Sequence, residues 1–178
     1  MSNPDPVPIL MVYPPLAPPS SPPWQMSRKD SPLFGQGLPV DWHDANIEFM
    51  AGYLLKPETL IGFIGDIEKK SAQGAFKEAD PGTLSVLTRL ADNPLRWDRR
   101  IAAAGQYLAA CRAEDFYTAE HGVDALDNLK ALLQLASLAF YPSIIRWGAF
   151  FNPAARDRER IHSFVNDTHT NPFLAFSK

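Results

Sequence analysis

Proline placement constrains this chain more than any other feature. Eleven of its seventeen prolines fall in the first forty residues, and six of those lie in one stretch, VYPPLAPPSSPPW, residues 12–24. Proline removes a backbone donor and fixes one of the two soft backbone angles. A segment so dense in it cannot continue a helix, and it is biased toward the extended polyproline II form. Folded back into a core, it would leave carbonyls unpaired. The expectation is an extended arm, residues 1–40, ahead of a folded domain, residues 41–178.

The other six prolines follow Lys56, Asp80, Asn93, Tyr141, Asn152 and Asn171. Asp and Asn are good N-caps, and proline is tolerated at the first helical position, where its missing N–H is not needed. These dipeptides therefore read as helix starts or turns. Between them the apolar residues recur every three or four positions. One stripe runs through Ile47, Met50, Ala51, Leu54 and Leu55, another through Leu60, Ile61, Ile64 and Ile67, and a short one through Leu84, Leu87 and Leu90. Trp97, Ile101, Ala104, Leu108 and Cys111 make a fourth; Leu126, Leu129, Leu133, Ala136 and Phe140 make a fifth, with Asp124 as its cap. Residues 156–165 suggest a last short helix. No Asn-Gly or Asp-Gly turn and no clean period-two run signals a hairpin. The expected fold is all-α: a compact bundle of six or seven helices behind a proline-rich arm. About 125 residues suffice to bury one core.

Charge and cysteine usage bound the function. A formal net charge of −3 gives no electrostatic case for nucleic acid. The single cysteine, Cys111, makes neither an internal disulfide nor a cysteine-type zinc site, and it lies on an apolar stripe as a core thiol. A lone cysteine fits a reducing compartment, and the N-terminus lacks the basic and uninterrupted apolar regions of a secretory signal, so a cytoplasmic location is expected. The most membrane-like run, residues 131–151, is broken by Gln134, Pro142 and Arg146 and reads as two successive core helices rather than a span.

Motifs for chemistry are sparse. Glu159 and His162 stand three apart on one helix face, as in carboxylate-bridged di-metal bundles, but no second such pair exists. His162, Asp167 and His169 offer three donors for a single metal, and a polar turn accounts for them equally well. The DWHD run at residues 41–44, with Glu48, sits where acids favour a helix start. Asp115, Tyr117, Glu120 and His121 suit acid–base work or a helix end. Gly35 and Gly37 do not make a nucleotide fingerprint. No cofactor is implied. Arg89, Arg96, Arg99 and Arg100 form a basic group, offset in part by Asp92 and Asp98. It reads as a solvated helix face, or as a grip for a carboxylate, a phosphate or an acidic partner.

The arm carries apolar residues that a pure spacer would not. Tyr13, Leu16, Trp24 and Phe34 are candidate partner-binding residues, with Tyr13 and Trp24 as anchors; burying a tryptophan removes about 150–250 Å² from water, roughly 4–6 kcal/mol gross. PPLAPP and PSSP contain PxxP, but without the flanking basic residue that such ligands use. At the other end, Phe173, Leu174 and Phe176 must close the domain or join an interface; Phe173 and Phe176 complete the candidate set. The leading expectation is a non-catalytic accessory subunit, adaptor or chaperone-like protein that docks a larger protein. The alternatives are a small metal-dependent enzyme using His162 and His169, and an immunity or inhibitor protein. The arm can act on its own domain or on a partner.

Overall fold

The computed structural model describes residues 9–13, 40–112, 122–157 and 159–177. Over these residues the protein is mostly helical with few strands. The order is β1 (Ile9–Tyr13), β2 (Val40–Asp44), α1 (Ala45–Phe49), a π-helical turn (Met50–Leu54), α2 (Pro57–Ala72), α3 (Pro81–Asp92), α4 (Pro94–Ala102), α5 (Ala104–Arg112) and α6 (Gly122–Ala139). There follow β3 (Ile144–Arg146), β4 (Ala149–Phe151), a 3-10 turn (Pro153–Arg156), α7 (Ile161–Val165) and α8 (Pro172–Phe176).

Five of the six later prolines occupy the first position of a helix or 3-10 turn. Asp80 accepts from the backbone N–H groups of Gly82 and Thr83, and Asn93 from Arg96. Asn152 accepts from Ala154, and Asn171 from Phe173 and Leu174. Each side chain thus satisfies donors that the first helical turn leaves open. Lys56 makes no such bond. The sixth proline, Pro142, follows a cis peptide bond and sits in a turn.

The core is organised around α6. Leu129, Leu132, Leu135 and Ala136 have no exposed surface, and Leu133 and Leu138 have almost none. A helix apolar nearly all round is buried by its neighbours, and α2, α3, α4, α5 and β3 all contact α6. The stripe Trp97, Ile101, Ala104, Leu108 and Cys111 is buried along its whole length, although the chain turns between α4 and α5 at Ala103. Each fully buried leucine contributes about 1.5–3 kcal/mol gross.

Several sequence expectations are corrected here. On α2 Leu60 and Ile67 are buried as expected, but Phe63, whose ring meets Phe140 at 5.3 Å, joins them, while Ile61 stays 62% exposed. On α3 the buried residue is Val86, not Leu84. Asp124 lies in the first turn of α6 rather than before it. Residues 156–165 are helical only from Ile161. The second half of the apolar run at 131–151 is no helix: β3 and β4 pair antiparallel, with Arg146 opposite Ala149, so that Trp147 and Gly148 form the loop. Gly148 has φ +66°, the left-handed region that glycine enters without strain. No helix among the described residues is long and apolar enough to cross a membrane.

Residues 9–13 of the proline-rich segment form a strand. It pairs parallel with β2, Ile9 opposite Val40 and Tyr13 opposite Asp44. Asp44 then caps α1 by accepting from Ile47 N–H at 2.8 Å. The DWHD run is therefore strand with a helix cap at its end.

Candidate functional site

A groove of about 650 Å³ opens between α3, α6 and the β3–β4 hairpin. Val86, Leu133, Leu138, Ile145 and Trp147 supply its apolar walls. Arg89, Lys130 and Arg146 stand along it. Lys130 is held by Asp127 at 3.1 Å, one helical turn away.

One side chain fixes the hairpin against α6. The Ser137 hydroxyl accepts from Ile145 N–H at 2.8 Å, and its proton is shared between Leu133 O at 2.9 Å and Ile145 O at 3.2 Å. A strand edge facing a helix would otherwise leave both backbone groups of Ile145 unanswered. The far side of the hairpin is tied by two buried polar residues. Asn152 Nδ2 donates to Ser143 Oγ at 2.7 Å, and Ser143 Oγ donates to Thr170 O. Lys70 Nζ reaches Tyr141 O and His169 O, both at 3.1 Å, linking α2 to the turns on either side. Burial lowers the Lys70 pKa, opposed by the nearby Asp167 and Asp66 charges.

Trp147 lines the groove, but its indole nitrogen does not open into it. Trp147 Nε1 is buried and has no hydrogen-bond acceptor.

The basic group of the sequence divides. Arg89, Arg96 and Arg100 line a second, smaller cavity of about 160 Å³ together with Asp92, Asn93, Trp97 and Gln134; Arg99 does not line it. Arg89 and Gln134 border both cavities.

Other candidates are placed elsewhere. Phe173 meets Phe49 and Phe150, each at 5.1 Å between ring centres. Phe176 lies 5.6 Å from Phe49 and 5.8 Å from Tyr53 and stays 36% exposed. Both rings thus pack on the helical body. Tyr13 lies in β1. Leu16, Trp24, Phe34, Asp115, Tyr117, Glu120 and His121 lie outside the described residues. His162 is exposed on α7, and Asp167 bonds within its own turn, to His169 N–H and Thr170 Oγ1. Among the described residues no three His, Cys, Asp or Glu side chains come together to hold a metal. His43 Nε2 lies 3.5 Å from Glu48, with both side chains open to solvent. Cys111 is buried, and burial raises its pKa.

Sequence reasoning does not find the groove. Its walls come from segments some fifty residues apart, and the hairpin that closes it is a short apolar run with no decisive period. Trp147-Gly148 is the one local signal available. The chain matches no family model, no characterised protein and no solved structure.

Proposed function

We propose that this is a non-catalytic accessory protein that docks a larger protein partner. Its helical body, a compact bundle over residues 41–178, presents the groove to a segment of that partner. The proline-rich residues 1–40 act as an extended arm that adds contact area at low entropic cost, because such a segment is already stiff. Tyr13, Leu16, Trp24 and Phe34 supply anchors along the arm, as aromatic residues do at interfaces. Phe173 and Phe176 contribute through the edges they leave in solvent. The setting is cytoplasmic.

The observation that carries this reading is the groove between α3, α6 and the β3–β4 hairpin, with apolar walls and Arg89, Lys130 and Arg146 along it. An apolar trough with charged residues along it suits an extended or helical segment.

Affinity capture from the native host tests the proposal with the full chain. Point variants are the right tool, because removing the first forty residues would strip β1 from β2. The wild type should retain one stoichiometric protein, and Arg146→Glu, which reverses an exposed charge at the groove, should lose it while melting within a few degrees of wild type. Capture unchanged by Arg146→Glu, or no stoichiometric partner at all, refutes the reading.

A further inference from the structure

We propose that the cavity lined by Arg89, Arg96 and Arg100 is a binding site for a phosphate group. The three arginines come from two helices, α3 and α4, and all line one small cavity. Three arginines against Asp92 leave a lining charge of three minus one, or plus two. This matches a phosphate monoester, which carries about −1.5 to −2 at neutral pH. The cavity is thus locally positive in a protein whose formal net charge is −3.

The hydrogen bonding leaves the right donors over. Arg100 Nε donates to Asn128 Oδ1 at 3.0 Å, and its guanidinium lies 5.2 Å from the Trp97 ring centre. Asn128 is in turn held by its own Nδ2 donating to Asp124 O at 2.8 Å. Arg89 Nε donates to Ser85 O at 3.2 Å. Trp97 Nε1 donates to Arg89 O at 3.2 Å, which ties α4 to the last turn of α3. Both forks are therefore oriented through Nε, and their Nη protons remain for a ligand. No carboxylate lies within 4.0 Å of any of the three arginines among the described residues. Burial first and then the Arg96 charge push the Arg100 pKa down; Tyr107 opposes them, and Arg89 adds a smaller push down. The like charges thus act on each other, and an anion between them relieves that repulsion.

Geometry favours phosphate over carboxylate. One planar fork satisfies a carboxylate with two parallel bonds. Donors arriving from three arginines on two helices suit a tetrahedral group with three acceptor oxygens. Gln134, exposed on α6 at the same cavity, adds an amide donor.

The test is a titration of the full chain, followed through the arginine Nε–Hε resonances at constant ionic strength. The probes are inorganic phosphate and a phosphoserine pentapeptide, with sodium chloride as the control. Phosphate should move the Arg89 and Arg100 signals saturably. Arg96 is exposed and makes no side-chain hydrogen bond, so Arg96→Gln probes the site without disturbing the fold; affinity should fall about ten- to hundredfold, as for loss of one charge-assisted bond. Asp92→Asn should tighten binding. A pentapeptide that binds more tightly than inorganic phosphate places the group on a protein partner, and the reverse order identifies a free phosphate. Signals that move no more than in chloride, or an affinity indifferent to Arg96→Gln, overturn the proposal.

Discussion

Replacing Ser137 with alanine should free the hairpin wall of the groove from α6. The hydroxyl is the acceptor for Ile145 N–H, and Ile145 is 1% exposed, so water cannot take its place. Leu133 O, the other partner, keeps its place in the helix ladder, and Ile145 O loses a donor. The largest cost is one buried backbone donor left unpaired, about 1–3 kcal/mol. For a chain of this length each kcal/mol lowers the melting temperature by about 2–4 °C, so the expected drop is about 2–12 °C. Thermal unfolding followed by circular dichroism reads it. Thr88→Ala is the control, because the Thr88 hydroxyl bonds only to Leu84 O on an exposed helix face; it should change stability little. Partner capture with Ser137→Ala should weaken alongside the melting temperature, since the groove shares that wall. A Ser137→Ala protein that melts within about 1 °C of wild type would refute the reasoning that Ser137 holds the hairpin.

Three further outcomes are expected. Asp80→Ala should cost about 1 kcal/mol of stability at neutral pH, the usual value of an N-cap; bonds from Thr83 and Gly82 depress the Asp80 pKa, so its contribution is present above the ordinary carboxylate range and is lost as pH falls through the lower folded value, where wild type and variant should converge in acid melts. Gly148→Ala should cost about 1–2 kcal/mol by chemical denaturation, because Gly148 sits at φ +66° and a methyl there meets open space, leaving backbone strain as the whole effect. Cys111, buried with a raised pKa, should react with a thiol reagent only as fast as the protein opens, so its labelling rate in native buffer should rise with denaturant in step with unfolding; fast labelling without denaturant would contradict its place in the core.

What the sequence discloses follows from how locally each feature is determined. The caps Asp80, Asn93, Asn152 and Asn171 act within three residues of themselves, and the chain states them directly. The stripe from Trp97 to Cys111 is legible because its apolar positions admit only one helical phase. Residues 60–67 offer two phases, since Ile61 and Phe63 both continue an apolar pattern; the choice of Phe63 is made by Phe140, nearly eighty residues away. The hairpin at 144–151 reads as helix because a short apolar run has no decisive period, and because its turn is Trp-Gly rather than a familiar Asn-Gly. Strand β1 is hidden by the prolines around it, although the five residues from Ile9 to Tyr13 contain none and can hold a ladder. The basic group is visible as four arginines, but only packing shows that three share a cavity and one does not. The groove lies beyond the reach of sequence because it exists only where α3, α6 and the hairpin meet.

The central claim is that the groove receives a protein. A photo-crosslinking residue at Ile144, which lines it, tests this most directly, with the same residue at Val123, exposed and outside it, as control. Illuminated in the native host, the chain carrying the probe at 144 should give one discrete adduct with another protein, and the chain carrying it at 123 should not. Equal labelling from both positions, or no adduct from 144, would contradict the account.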